Sequence, residues 1–429
     1  MLTASRAPIP VVVQQHQEES ASLRSTREFL VNAPHVRLHQ LRRLDDRIAA
    51  HLDGLAVAGA FGTRLCEEAL VSPGIGEVFA AAVRAIEDRS AQALTRLLSL
   101  AEAEPAAEAG LLSAFGWVSA ASLRGITKEL LASHSAFQRQ VGLAACGMHQ
   151  VDPGAALDAA LQDADLALRR RALRVAGELG RLAALPACLE ALAEATGRAD
   201  DSLRWQAARS AVLLGDRAAA VATLQTVAAV PGPHRLDAIR VLLKVLAPAE
   251  ARAVLKQLAD HAKEPAGQRL LIQAVGVAGD AHFVPWLIQQ MADLKLARLA
   301  GESLSTLTGL DLAYLDLELK PPQGVEPGPN DDPADDDVAM DEDDSLPWPD
   351  PAKLAAWWQV NGPKFVAGTR CFMGEPPTVA HCHEVLMNGF QRQRSAAALY
   401  LRLMQPGSPL FNTAAPAWRQ QRLLANGGA

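Results

Sequence analysis

The densest run of reactive side chains is His381-Cys382-His383-Glu384. Imidazole, thiolate and carboxylate groups all bind metals. On a helix, residues one or two apart diverge, so His381 and His383 cannot meet at one ion. His381 and Glu384, three apart, share a face, but no matching ligand pair stands elsewhere in the chain. The expectation is a structural or surface role and no metal site. His51 and Asp53 have residue types suited to acid–base work, yet their place in AHLDG reads as a polar pair at a helix end. There is no Ser-His-Asp elbow, P-loop or dinucleotide fingerprint. No catalytic residue and no cofactor are expected. The five cysteines (Cys66, Cys146, Cys188, Cys371, Cys382) are scattered without a CxxC, as small buried hydrophobes in a reducing cytoplasm would be.

Arginine is the other residue type whose spacing suggests chemistry. Arg169, Arg204 and Arg235 recur at one position of a repeating pattern, and Arg174, Arg209 and Arg240 at another. Stacked repeats would align each set as a row. One reading is a solvated or salt-bridging ridge. The other is a row of guanidinium forks facing an acidic partner, since the fork matches carboxylates and phosphates.

The pattern behind these rows is a helical unit recurring every 31 to 35 residues. Clear copies start at Phe137, Leu168, Leu203, His234 and Gly267. Four residues into each copy stand Val141, Ala172, Ala207, Ala238 and Leu271, and eight residues in stand Ala145, Ala176, Ala211, Leu242 and Val275. These pairs at i, i+4 mark a buried stripe. Gly180, Gly215 and Gly279 fall at first-helix ends, where a left-handed cap favours glycine. Second helices are predicted at 154–162, 185–195, 217–228, 248–260 and 282–292. With Ala and Leu abundant, the reading is an all-α chain, an α-solenoid of stacked helix pairs.

Four regions follow. Residues 1–105 form an N-terminal helical cap. There an apolar strip, Ile9 to Val13, precedes a helical stretch from His16 to Val31, and Leu38, Leu41, Leu44, Ile48, Leu52 and Leu55 mark an amphipathic helix. Residues 106–312 form the solenoid. Residues 321–350 hold eleven Asp and Glu and no Lys or Arg, within a chain of net charge −7. Such a segment cannot bury enough apolar surface to offset ordering entropy, so a disordered acidic linker is expected, one that could fold back over the arginine rows. Residues 351–429 form a C-terminal helical domain with three expected helices, either separate or docked on the solenoid. Nine of the chain's nineteen aromatics lie between Trp348 and Trp418. They read as the core of a small domain or as a partner-anchoring patch; Trp357 and Trp358 are adjacent, so one is expected in the core and the other at a docking surface.

The unit LRRRALRVAGELG resembles HEAT-type repeats, particularly the short variety also seen in phycobilisome lyase-like proteins, over about 110–310. At the ends, LRRLDDRIAAHLDGLAVAG, AGESLSTLTGLDL, WWQVNGPKFVAGTRCFMG and GFQRQRSAAALYLRLMQPGSPLFNTAAPAWRQQRLL resemble a narrower family. It consists of proteobacterial HEAT-like proteins whose genes lie within type VI secretion clusters. The resemblance implies no catalytic residues. It implies a bacterial cytoplasmic adaptor or chaperone-like accessory that holds a protein partner such as a secretion effector or spike component.

Two alternatives stand beside it. A HEAT-like lyase or hydroxylase would need a metal or cofactor constellation, and the His-Glu dipeptides of HEAT-like hydroxylases are reduced here to His383-Glu384. A nucleic-acid-binding solenoid would need a larger positive surplus than the few charges left outside 321–350. No signal peptide or transmembrane helix is read from the sequence.

Overall fold

The computed structural model describes residues 7–194, 201–323 and 341–427. They are almost wholly helical. The first twelve helices are α1 (Pro10–Leu30), α2 (Leu38–Val57), α3 (Ala60–Ala69), α4 (Ile75–Glu87), α5 (Ala91–Ala103), α6 (Pro105–Trp117), α7 (Ile126–Leu131), α8 (Ala136–Met148), α9 (Ala155–Leu161), α10 (Leu166–Leu179), α11 (Leu185–Glu194) and α12 (Asp201–Leu213). Then come α13 (Ala219–Ala229), α14 (Arg235–Val245), α15 (Pro248–His261), α16 (Pro265–Ala278), α17 (Val284–Gln290) and α18 (Leu294–Thr308). Two short antiparallel strands, β1 (Glu318–Leu319) and β2 (Trp348–Pro349), precede α19 (Pro351–Asn361), α20 (Val379–Asn388), α21 (Gln391–Met404) and α22 (Ala417–Ala425).

The chain divides into two compact units. One contains residues 1–215, 390–398 and 405–429; the other contains 216–389 and 399–404. The tail, for which a separate domain and docking both stood open, is divided between these two units. Its helices are shared out because their apolar faces are buried by partners far away in sequence.

In the first unit, α4 packs against α1 and α6, and its residues Val78 to Ile86 are all buried. A helix apolar on every side belongs at the centre, and α4 supplies Phe79 to the core shared with Phe115 and Trp117. The expected apolar strip at Ile9–Val13 is not separate from the helix after it. Pro10 occupies the first turn of α1, where its missing N–H costs nothing, so the helix runs unbroken from there.

The repeated units form helices where the stripe predicts them. In the first unit α10 lies against α8 and α12; in the second, α16 lies against α14 and α18. The short intervening helices lean on the long ones that follow: α9 on α10, α11 on α12, α13 on α14, α15 on α16 and α17 on α18. Of the ten stripe residues, all are buried except Leu271, whose neighbour Ile272 takes the interior place. Side-chain oxygens of Ser135, Asp165 and Asp293 accept backbone N–H groups at the starts of α8, α10 and α18, satisfying donors the helix leaves unpaired.

Helix ends are closed by returning chain. Gly279, with φ 68°, caps α16, and its carbonyl accepts the Cys371 N–H at 2.8 Å. A β-carbon there would lie 2.1 Å from the Cys371 carbonyl oxygen, so only glycine admits this crossing. The same stretch continues to α18, where Met373 N–H and Gly374 N–H donate to Thr306 and Leu307 carbonyls. Arg370 donates to the Leu243, Lys244 and Leu246 carbonyls at the end of α14. In the first unit Gly180, φ 76°, ends α10 beneath Gly407 and Ser408, and Leu410 N–H donates to Glu178 O at 2.7 Å. The tail thus supplies donors to carbonyls that α-helices leave open.

The last ten residues of the expected acidic linker are structured; residues 324–340 lie outside the described residues. Two arginines organise the acidic stretch. Arg269 grips Asp343 with two parallel bonds of 2.8 and 2.6 Å and reaches Glu342 at 3.1 Å. Arg298 pairs with Asp341, donates to the Asp343 carbonyl and lies 4.5 Å from the centre of the Trp348 ring. Bidentate pairs of this kind offset the ordering entropy that composition alone counts against the segment.

Candidate functional site

The expected arginine rows are divided between the units. In the first, Arg174 and Arg209 converge on Glu178, at 2.9 and 3.3 Å. Burial works against this carboxylate, but Arg174, Arg209 and Arg171 together hold its pKa below the usual range. Arg169 pairs with Glu194 at 2.6 Å. Arg204 is half-buried, its Nε enclosed without a hydrogen-bond partner in the structure. In the second unit Arg235 Nε donates to the Ala228 carbonyl, and Arg240 pairs with Asp237 on its own helix. Arg169, Arg209 and Arg235 thus tie neighbouring helices together, whereas Arg240 stays on its own helix. The acidic residues 341–343 meet Arg269 and Arg298, not the rows.

Trp357 and Trp358 lie on α19, which packs against α17 in the second unit. Asp350 caps this helix by accepting the Ala352 and Lys353 N–H groups, and Leu354 is its buried anchor. The two indoles do not divide between core and surface. Both are half-buried, and both rings face Phe365, with centroids 6.3 and 5.5 Å away. The turn at Gly362–Lys364 folds the chain back so that Phe365 returns to them. Around this cluster Val360 is 75% exposed and Val366 67% exposed. Three aromatic rings flanked by two exposed valines form an apolar surface that water covers at a cost.

Other tail aromatics are inside. Trp418 packs edge-on against Trp117 at 4.6 Å in the first unit, and Phe372 lies 5.0 Å from Tyr400 in the second. His381 Nε2 contacts the Phe372 carbonyl oxygen at 2.8 Å, and its Nδ1 stands 3.6 Å from Glu375. Among the described residues no group of three or more His, Cys, Asp or Glu side chains is arranged around a common ion position. His51 meets His16, not Asp53. The five cysteines are buried and free. Burial pushes the Cys66 and Cys188 thiols up to about 12, and Cys146 and Cys382 to about 11, which keeps them protonated at neutral pH. An open depression of about 440 Å³ between α7, α8 and α9 is floored by apolar atoms of Leu131, Cys146 and Ala156.

The strongest polar constellation was not singled out from sequence. Asp45, fully buried, accepts Arg27 Nε at 2.6 Å and the Ala417 N–H at 2.6 Å, while Arg27 also donates to the Ala414 and Ala415 carbonyls. Gln420 holds the Thr413 and Ala415 carbonyls, and buried Arg394 links Gln420 to Gln391. A signal was present: Asp45 lies between Leu41 and Ile48 on the apolar stripe of α2, where a carboxylate must find a partner. A second missed group is Lys244, buried on α14 with its Nζ 4.9 Å from the centre of the Tyr400 ring.

No protein-family model, curated protein or solved structure matches the chain. The structure defines an all-helical protein, and no helix among the described residues is long and apolar enough to cross a membrane.

Proposed function

We propose that the chain is a non-catalytic protein-binding scaffold built from HEAT-like helix pairs. Its role is that of a cytoplasmic adaptor or chaperone-like accessory of a bacterial type VI secretion system, holding an effector or spike component. The observation that carries the binding reading is the face of α19. Trp357, Trp358 and Phe365 form an aromatic cluster, and Val360 and Val366 beside them in sequence stand open to solvent. Aromatic anchors ringed by aliphatic contacts are the usual source of binding energy at protein interfaces. The successive contacts α8–α10–α12 and α14–α16–α18 support the repeat reading. The secretion assignment rests on the resemblance of the chain's ends.

The test uses the tagged full-length chain in a bacterium that carries a type VI secretion cluster, with bound proteins identified by mass spectrometry. The wild-type chain should capture a secretion component. The double variant Val360→Asp, Val366→Asp alters only exposed positions and should lose about tenfold or more of that partner. Capture of no secretion component would overturn the secretion assignment. Equal capture by the double variant would overturn the assignment of α19 as the binding face.

A further inference from the structure

One stripe of α19 is turned outward in the second unit. Lys353, Ala356, Trp357 and Val360 stand at i, i+3, i+4 and i+7, so they share a face of the helix. Lys353, Ala356 and Val360 are exposed and Trp357 is half-buried, whereas Leu354, round the helix from them, is buried. Side chains at this spacing form the stripe by which one helix packs against another. The face continues past the helix end. Asn361 Nδ2 donates to the Trp357 carbonyl at 3.0 Å, and Lys364 Nζ donates to Asn361 Oδ1 at 2.8 Å. Lys364 is thereby held beside the C-terminal end of the stripe.

The charge along this stretch has one sign. From Pro351 to Gly374 the sequence holds Lys353, Lys364 and Arg370 and no Asp or Glu, within a chain of net charge −7. Arg370 turns to the carbonyls that end α14, which leaves one lysine near each end of the stripe. Lys353 meets Asp316 at 3.3 Å, and that carboxylate is itself 93% exposed. Lys364 meets no carboxylate among the described residues. A second copy of the chain fits such a face poorly, because pairing in either direction would set lysine against lysine.

We propose that the α19 face receives an amphipathic helix of a protein partner, with a carboxylate at each end of its apolar stripe. The apolar stripe would cover Ala356, Trp357 and Val360, and the carboxylates would meet Lys353 and Lys364. The proposal rests on the assignment of α19 as the binding face and adds the chemistry of what binds there. Ala356 is small and leaves room for a partner side chain, and Trp357 supplies aromatic contact area. The two lysines select acidic ends and reject basic ones.

The experiment selects binders of the full chain from a display library of amphipathic helical peptides about four turns long. The apolar stripe is fixed and the polar positions are randomised. Recovered peptides, measured by fluorescence anisotropy, should carry Asp or Glu at both ends of the stripe. Val360→Asp should weaken them about tenfold or more. The double variant Lys353→Gln, Lys364→Gln should weaken them about fivefold and remove most of the salt dependence. Both variants change exposed positions and should unfold at the wild-type midpoint. Peptides without acidic ends, or bound equally by the lysine double variant, would overturn the acidic helix and leave α19 as the binding face. Binding indifferent to Val360→Asp would overturn the face itself, and the acidic helix with it. Recovery of no peptide would also overturn the proposal; phosphatidylserine vesicles bound by wild type and not by Val360→Asp would then assign the face to a membrane surface.

Discussion

The two units differ in how they enclose charge. The first places a carboxylate at its centre: Asp45 is fully buried, paired with Arg27, and bonded to the backbone that returns as α22. The second encloses carboxylates too, Asp343 against Arg269 and Asp280 against Arg252, each arginine partly open to solvent, and in addition buries a cation, Lys244, over the ring of Tyr400. A carboxylate enclosed with its guanidinium and its hydrogen bonds tolerates a dry interior. A lysine held by a π face still lacks the solvation its charge demands. The first unit should therefore depend on one side chain, and the second on pH and salt.

The largest expected effect is at Asp45. Asp45→Ala leaves Arg27 buried without its partner and the Ala417 N–H without an acceptor. Breaking such a pair costs about 3–5 kcal/mol. Urea unfolding followed by the fluorescence of Trp117 and Trp418 should show that loss nearly unchanged between low and high salt. A cost below about 1 kcal/mol would erase the contrast between the units.

Lys244→Met should act in the opposite direction. Burial, reinforced by Arg240 and Arg370 and opposed by Cys382, lowers the Lys244 pKa to about 7. An unfolded lysine titrates near 10.4. Between these values the unfolded chain binds a proton that the folded chain has released, so stability from this group climbs as pH rises through the window and is least at and below pH 7. Removing the charge while keeping the stem should stabilise the second unit by on the order of 2 kcal/mol near neutral pH. It should also flatten the rise in thermal midpoint between pH 7 and 10. A variant with the wild-type pH slope would show that Lys244 is better solvated than its burial implies.

The smallest effect belongs to the edge clamp. Asp343→Ala removes the bidentate partner of Arg269 but leaves Glu342 and Asp341 nearby, so about 1 kcal/mol is expected. Because Arg269 is partly open to solvent, the difference should shrink as sodium chloride rises from 0.05 to about 1 M. A cost that salt does not change would place this clamp with the buried one.

Much of the helical framework was legible in advance. The stripe that includes Val141, Ala172, Ala207 and Ala238 is read at a separation of four residues, the range over which a helix presents one face. The left-handed ends at Gly180 and Gly279 could be read from residue type alone. The site was less legible. Residue type singles out Trp357 and Trp358, but their shared ring partner Phe365 depends on a turn at Gly362 that no periodicity announces. α22 was not anticipated at all, because AWRQQRLLA is short and polar and is held by Asp45 and Trp117 from the other end of the chain.

The sequence by itself determined that this protein is helical, where most helices begin and end, and which face of each repeated helix turns inward. Those properties follow from contacts three or four residues apart. Tertiary structure alone decided that Asp45 meets Ala417, that Asp343 meets Arg269, that His16 meets His51, and that the tail is divided between two units. Each of these contacts joins side chains whose separation along the chain carries no periodic signal, and packing of whole helices had to bring them within bonding distance.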